Sequence, residues 1–252
     1  MDFELEQKLM SVYRYIKENR SLFLQKEKSR LEYYELMIFM KDFKEYNYAL
    51  EQLHSTMIGN LHCKNILELF GHLDYDELST YRKNEILAID SLFSNRNWTE
   101  EITKNFKKSF LYNLIYDDYY KLWLANRDFL YSITHEIMYA TIFNSTLITV
   151  DVLFNNYNKL IDIFEISLSF SIRNDDIDVL NELLFSAFIL KIEDHIDIDI
   201  LNAALELLNR AIFNNKVIFP NSRLTLDNIE ESKFFEITYH TSLTGGFLLS
   251  VL

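Results

Sequence analysis

Two histidines stand among residues that could carry acid–base chemistry, and the first is His135. It lies in ITHEIMYATIF (residues 133–143), next to Glu136 and four residues before Tyr139. Neighbouring helix residues point about 100° apart, so His135 and Glu136 cannot face one pocket equally well, whereas His135 and Tyr139 share a face. Two interpretations stay open: His135 binds a nearby carbonyl or carboxylate within an aromatic core, or His135 and Tyr139 line a ligand-binding cavity.

The second histidine, His240, follows Tyr239 in ITYHTSLTGGF (residues 237–247). This segment and residues 133–143 both place a histidine shortly after Ile-Thr. Tyr239 and His240 therefore have the same two interpretations. If His135 and His240 face one central cavity, with Tyr or Asp side chains nearby, the pair could act as general acid and base.

A pair of adjacent carboxylates, Asp117 and Asp118, lies among aromatic residues in YDDYYKLW (residues 116–123). Neighbouring carboxylates raise one another's pKa, and an aromatic wall adds desolvation in the same direction. We consider both residues as candidates for ligand binding. The alternative is that they cap the N-terminus of a helix.

Metal-binding patterns are incomplete. Glu51 and His54 form one Glu-x-x-His pair, whereas di-iron helical bundles use two pairs and two further glutamates. The acidic segment IEDHIDIDI lacks the glycine and the distal glutamate of an EF-hand loop, and Asp197 or Asp199 suits a helix N-cap instead. We expect no metal and no cofactor.

Turn-forming residues are rare, with four Gly and one Pro in 252 residues. Sandwiches and barrels need such residues at hairpins, and doubly wound sheets usually need Gly between strand and helix. Apolar residues instead recur at spacings of three and four, as on amphipathic helices. We predict an all-α fold, an array of antiparallel helical hairpins that is either an open, curved solenoid or a closed α/α-toroid.

The predicted helices are joined by short polar connections. One helix begins at Phe3 and another at Tyr81, and the others cover about residues 21–46, 50–61, 99–116, 117–143, 146–172, 198–213 and 230–252. Helix caps are predicted at Asn97 and at Asp175 or Asp176, and a helix break near Asn126. A polar loop covers 214–229, and residues 244–246 allow close helix packing or a kink. Residues 1–110 and 111–252 are predicted as the N-terminal and C-terminal parts of one continuous helical domain.

The charge and the hydropathy pattern exclude several classes of protein. A net charge of −13 opposes binding to a phosphate backbone, so we expect no nucleic-acid partner and, if anything, a basic one. The acidic start MDFELEQKLM lacks the pattern of a signal peptide, and no apolar run is long enough to span a bilayer. Cys63 is the only cysteine, which excludes an internal disulfide and a Cys-based zinc site. We expect a cytoplasmic protein that does not enter membranes.

Three segments carry a resemblance: YSITHEIMYATIF, DDIDVLNELLFSAFIL and ITYHTSLTGGFLLSVL. Together they resemble a poorly characterised bacterial family of helical proteins with a Tyr-x-x-Thr-His segment. The last two are also similar to the hairpins of α/α-toroid proteins such as terpene cyclases, but the Asp-Asp-x-x-Asp and Asp-x-Asp-Asp motifs of those enzymes are lacking. The resemblance spans about residues 130–252 and implies a curved helical array without prenyl chemistry.

No constellation in this chain is typical of a known catalytic site. We therefore predict a non-catalytic interaction protein that binds a peptide or a partner protein, for example as the accessory subunit of an enzyme that modifies a ribosomally made peptide. The alternative is a helical-barrel enzyme that uses His135 and His240 around a central cavity.

Overall fold

The computed structural model describes residues 3–26, 28–33, 35, 74–94, 96–141, 156–213, 217–224 and 229–251. Most of the two helices predicted over 21–46 and 50–61 lies outside these residues. Glu51, His54 and Cys63 lie outside them too.

The described residues are helical apart from their connections and one short β-hairpin. In these ranges the helices are α1 (Phe3–Glu18), α2 (Arg20–Phe23), α3 (Thr80–Ser94), α4 (Thr99–Phe106), α5 (Phe110–Tyr116), α6 (Arg127–Ala140), α7 (Tyr157–Asn174), α8 (Ile177–Leu190), α9 (Ile198–Ala211) and α10 (Glu231–Val251). Strands β1 (Ile212–Phe213) and β2 (Val217–Ile218) pair antiparallel. The prediction of an all-α protein is confirmed.

Side-chain oxygens accept backbone N–H groups at the start of four of these helices: Asn97, Asp176 and Asp197 were predicted as caps, and Asn126 was predicted as a break. The Oδ1 atoms of Asn97, Asn126 and Asp197 each accept the backbone N–H two residues on, at 3.0, 2.9 and 2.8 Å. Asp176 accepts the N–H three residues on at 3.3 Å, before α8. Such caps satisfy N–H groups that have no partner within the helix, which is why these residue types are a reliable local signal.

Three predicted segments differ from the structure. The single helix predicted over 99–116 is divided into α4 and α5, because the Ser109 hydroxyl accepts the Tyr112 N–H at 3.1 Å and caps a new helix start. Residues 117–126 are turns around a 3₁₀ helix, Tyr120–Leu122, and do not continue into α6. Residues 217–219, predicted as part of a polar loop, are buried. The physical reason is that Val-Ile-Phe pairs with the end of α9: β2 bonds to β1, and the Phe219 N–H donates to the Ala211 carbonyl at 3.1 Å.

One compact unit consists of Met1–Leu61, Ser171–Phe185 and Asn202–Leu252. Within it, α10 packs against α1 and β2. Thr238 donates its hydroxyl hydrogen to the Phe234 carbonyl at 2.8 Å, so the buried Tyr15 hydroxyl is the donor in its 2.9 Å bond to Thr238. The Ile218 N–H donates to the Ser242 hydroxyl at 3.1 Å. Polar groups thus fix α10 against both neighbours.

Close packing against β2 favours a glycine at position 245, which agrees with close helix packing, one of the two roles predicted for residues 244–246. A Cβ on Gly245 would lie 2.2 Å from Ile218 Cδ1 and 3.2 Å from Asn181 Nδ2. Ile218 is fully buried, so its terminal methyl group cannot leave the contact without disturbing its other neighbours.

Gly245→Ala is therefore expected to lower the free energy of unfolding by about 1–3 kcal/mol, although alanine inside a helix ordinarily stabilises by about 1 kcal/mol over glycine. Urea unfolding of the full chain measures the change. Ile218→Val removes Cδ1, so a double-mutant cycle should show that Gly245→Ala costs less when it is combined with Ile218→Val. A neutral or stabilising Gly245→Ala would contradict the steric argument.

The other compact unit consists of His62–Phe170 and Ser186–Leu201. In it α3 packs against α4 and α6, and α5 packs against α6. Asn84 of α3 donates to the Ile102 carbonyl at 3.3 Å and accepts from Asn105 at 3.1 Å, so a buried amide pair joins α3 to α4. The fully buried Glu85 carboxylate accepts hydrogen bonds from Arg82 at both of its oxygens, at 2.7 and 2.5 Å.

The predicted division at residue 110 stays a prediction, as does the curvature of the helical array. In the part of the chain that the structure describes, no helix is long and apolar enough to cross a membrane.

Candidate functional site

His135 lies half-buried on α6, bonded to its own helix. Its Nδ1 atom is 2.7 Å from the Tyr131 carbonyl oxygen. Because a carbonyl can only accept, Nδ1 carries the hydrogen. The rings of Tyr81, Tyr131 and Tyr139 surround the imidazole at centroid distances of 5.6, 5.9 and 5.9 Å. This geometry matches the first interpretation of His135, a bond to a nearby carbonyl within an aromatic environment. Ligand binding by His135 and the buried Tyr139 stays a prediction.

Glu136, the neighbour of His135, has a structural role. Its buried carboxylate accepts the backbone N–H groups of Phe110 and Leu111 at 2.8 and 2.7 Å, which caps the N-terminus of α5. Burial raises the pKa of Glu136, and these two bonds, a contact with Ser109 and the nearby His135 oppose that rise. The carboxylate is a tertiary cap, supplied from 25 residues away.

His240 of α10 lies in a cluster of three carboxylates. Its Nδ1 atom is 3.2 Å from Glu32 Oε2, and its Nε2 atom is 3.6 Å from Asp178 Oδ1 and 3.4 Å from Glu182 Oε1. The Thr241 hydroxyl donates to the same Asp178 oxygen at 3.1 Å. All three carboxylates are at most 17% exposed, so little water screens these charges. We call His240, Glu32, Asp178 and Glu182 the histidine cluster.

The electrostatics of the histidine cluster favour an imidazolium. Burial lowers the pKa of His240, but Asp178, Glu32 and Glu182 together raise it well above its usual value. Tyr239 lies against the cluster, where burial raises its pKa and the charges of Glu32 and Asp178 raise it further. Among the described residues, no group of three or more His, Cys, Asp or Glu side chains has an arrangement that could hold a metal ion.

The two histidines lie in different compact units. His135 belongs to the unit that includes residues 62–170, and His240 belongs to the unit that includes residues 202–252. A shared cavity, on which the acid–base alternative depends, stays a prediction.

Asp117 and Asp118 occupy a turn between α5 and α6, and their environments differ. Asp117 Oδ1 accepts the Tyr119 N–H at 2.8 Å, and its Oδ2 accepts the indole N–H of Trp123 at 3.1 Å. Asp117 therefore caps the turn and orients the indole. Asp118 is exposed to solvent, so its carboxylate faces outward next to this folded turn.

Around these carboxylates lies a concentration of exposed apolar side chains. Tyr116, Tyr119, Leu122 and Trp123 are 54%, 73%, 76% and 42% exposed. They are four of the seven large apolar side chains exposed in the described residues, and all four fall within positions 116–123. Scattered exposed apolar residues are ordinary, whereas four within eight consecutive positions form a candidate interaction surface. We call these four residues the aromatic patch.

Buried side chains, a hydrogen bond and an ion pair hold the turn that carries the aromatic patch. Tyr120 and Leu124 are buried under it, and the Tyr120 hydroxyl donates to Asp162. Lys121 forms an ion pair with the same carboxylate, its Nζ atom 3.0 Å from Asp162 Oδ2. The exposure of the patch is therefore a property of a fixed turn.

Aromatic neighbours support the patch at both ends. The Tyr116 ring lies 5.2 Å from that of Tyr112, one helical turn earlier. The Trp123 indole meets Phe129 edge-on at 5.2 Å, and Phe129 stacks on Phe110 at 4.7 Å. The patch thus continues into half-buried aromatic rings of its unit.

Sequence reasoning found Asp117 and Asp118 but missed the aromatic patch, because helical periodicity assigned 117–126 to one helix. A signal that could have found it is the Asp-Asp pair followed by Asn126, because two capping sites nine residues apart favour a short turn-rich segment over one long helix. The acidic segment at 192–200 forms a 3₁₀ turn and the Asp197 cap of α9.

Comparison with known proteins places most of the chain in one family. No curated protein and no solved structure gives a significant match. A family model described as "Domain of unknown function (DUF6895)" matches residues 71–249. This range contains the aromatic patch, His135 and His240, and it extends well before the segments that carried the resemblance. The chain therefore belongs to the DUF6895 family.

Proposed function

We propose that this protein binds a partner protein or peptide through the aromatic patch, without catalysis. The observation that carries the proposal is the grouping of Tyr116, Tyr119, Leu122 and Trp123 on one fixed turn. Tyr and Trp are enriched at the energetic centres of protein interfaces, because they bury much apolar area at a small cost in side-chain entropy. The turn that carries these residues is already ordered, so binding costs little backbone conformational entropy.

The catalytic alternative has weaker support. A general base must lose and regain its proton near the working pH. The three carboxylates of the histidine cluster hold His240 protonated, and His135 donates its Nδ1 hydrogen to a carbonyl of its own helix. The cluster around His240 favours a structural role for that imidazole, whereas the Nδ1–H bond of His135 fixes only its tautomer.

The test of the binding function is a partner whose affinity depends on the patch. We expect affinity capture from the native host, followed by purification of the captured protein, to yield a stoichiometric complex. Its dissociation constant should rise about tenfold or more for Leu122→Ser and for Tyr119→Ser, as measured by calorimetry. The narrower expectation, that the partner modifies a ribosomally made peptide, is tested by the partner's identity.

Ile198→Ser is the matched control, since Ile198 is 63% exposed at the start of α9 and lies outside the patch. It should leave the dissociation constant unchanged. A complex that forms equally well with all three variants would contradict the proposal. A complex lost only with His135→Ala and His240→Ala would favour the catalytic alternative.

A further inference from the structure

We infer that the aromatic patch takes a basic amphipathic segment of the partner, in which apolar side chains are flanked by arginine or lysine. This inference rests on the proposed binding function and specifies the chemistry of what is bound. It commits to a segment of another protein. The test must exclude two alternatives: binding of a second copy of this chain, and binding of a partner regardless of its charge.

The apolar half of the inference follows from the shape of the patch. Tyr119 and Leu122 are about three-quarters exposed, so they project from the turn and offer their sides as well as their ends. Trp123 lies lower, at 42% exposed, because Asp117 and Phe129 hold its indole. Two exposed side chains beside an anchored indole suit apolar side chains spaced along one face of a segment.

The basic half of the inference follows from the charges at the patch. The segment and its direct contacts carry three carboxylates, Asp117, Asp118 and Asp162, and two ammonium groups, Lys121 and Lys159. Lys121 is paired with Asp162, and Lys159 lies 4.8 Å from the Tyr120 ring centroid. Asp118 is exposed to solvent and precedes the exposed Tyr119 in the sequence. The excess charge is negative, so a cationic side chain next to the apolar contact is attracted and an anionic one repelled.

The net charge of −13 argues against a second copy as the occupant. Two equally acidic chains repel each other at long range, whereas a basic segment is steered toward the surface. The indole and phenol rings add attraction for a cation, because a guanidinium or ammonium group over such a ring is bound by its quadrupole. A basic amphipathic segment therefore suits the apolar side chains, the carboxylates and the aromatic rings of the patch together.

The experiment uses the full chain carrying Trp98→Phe, which leaves Trp123 as the single tryptophan and hence a fluorescent reporter within the patch. The probe is a 14-residue peptide of leucine and arginine with a helical amphipathic pattern. Two comparison peptides replace every arginine by glutamate, or scramble the leucine–arginine order. We expect the first peptide alone to change the Trp123 emission saturably, with affinity that falls as salt is raised.

Variants separate the two halves of the inference. Asp118→Asn should weaken the leucine–arginine peptide about two- to fivefold. Leu122→Ser should weaken it about tenfold or more, and the control Ile198→Ser should leave it unchanged. Equal binding of the glutamate peptide would overturn the basic requirement, and equal binding of the scrambled peptide would overturn the amphipathic one.

Two further outcomes also overturn the inference. Absence of a saturable Trp123 response to all three peptides would do so, as would a dimer in sedimentation equilibrium that Leu122→Ser abolishes. These results leave the proposed binding function standing if a captured partner still depends on Leu122 and Tyr119. Failure of the capture test alone would instead overturn the binding function, so the two failures are distinguishable.

Discussion

Replacing His240 by alanine is expected to lower the free energy of unfolding by about 3–5 kcal/mol. The imidazole lies between Glu32 on one side and Asp178 and Glu182 on the other. Removing it leaves three poorly hydrated carboxylates without their common cation. Like charges then repel in surroundings of low dielectric, and Glu182, which is 1% exposed, cannot turn to water.

The same cluster predicts how stability changes with pH. The pKa of His240 in the folded chain lies well above its value of about 6.5 in the unfolded chain. Stabilisation by the imidazolium is therefore complete below pH about 6.5 and is lost as the pH rises through the folded-state pKa. Between these two values the free energy of unfolding should fall by up to about 1.4 kcal/mol per pH unit.

Guanidinium unfolding at several pH values between 6 and 9 measures both effects. His240→Gln, which keeps a hydrogen-bond donor but cannot be charged, should remove the slope attributed to His240. It also provides a second variant for the measurement if His240→Ala is too unstable to fold. His195→Ala is the matched control, because His195 is exposed and meets the edge of the Tyr157 ring, at 5.1 Å. A His240→Ala cost below about 1 kcal/mol, with an unchanged slope, would show that the cluster does not hold an imidazolium.

Local capping chemistry explains which parts of this fold could be predicted from the sequence. Asn97, Asn126, Asp176 and Asp197 each bond a backbone N–H two or three residues away, so the signal and its effect lie in one short window. The scarcity of glycine and proline likewise predicted the all-α class, because the turns of sandwiches, barrels and doubly wound sheets need these residues. Residues 217–219 were missed because their burial depends on pairing with the end of α9.

The histidine cluster and the aromatic patch were not predicted, for two different reasons. His240 was identified as a candidate, but Glu32 lies near the other end of the chain, and no periodic pattern connects such distant positions. The aromatic patch was missed because the apolar residues of 116–124 have helical spacing, which predicted a helix in place of a turn. In the structure Tyr120 and Leu124 turn inward while Tyr119, Leu122 and Trp123 face solvent.

Glu136→Ala is expected to lower the free energy of unfolding by about 2–4 kcal/mol, through loss of a cap and exposure of buried N–H groups without acceptors. The Glu136 carboxylate accepts the first two N–H groups of α5, from Phe110 and Leu111. Leu111 is fully buried, so water cannot replace the lost acceptor at its N–H. Thermal and urea unfolding of the full chain measure the cost, and Glu206→Ala on the exposed side of α9 is the control, with an expected change within about 0.5 kcal/mol.

Glu136→Gln separates capping from charge. A glutamine amide can accept through its one oxygen, so it restores a single bond and presents an NH₂ group to the other N–H. We expect it to cost about half as much as Glu136→Ala, and to leave the exposed aromatic patch intact because Asp117, Tyr120 and Leu124 hold that turn independently. A Glu136→Gln variant as stable as the wild type would mean that one acceptor suffices for α5. A Glu136→Ala variant within about 0.5 kcal/mol of the wild type would show that α5 does not depend on this carboxylate.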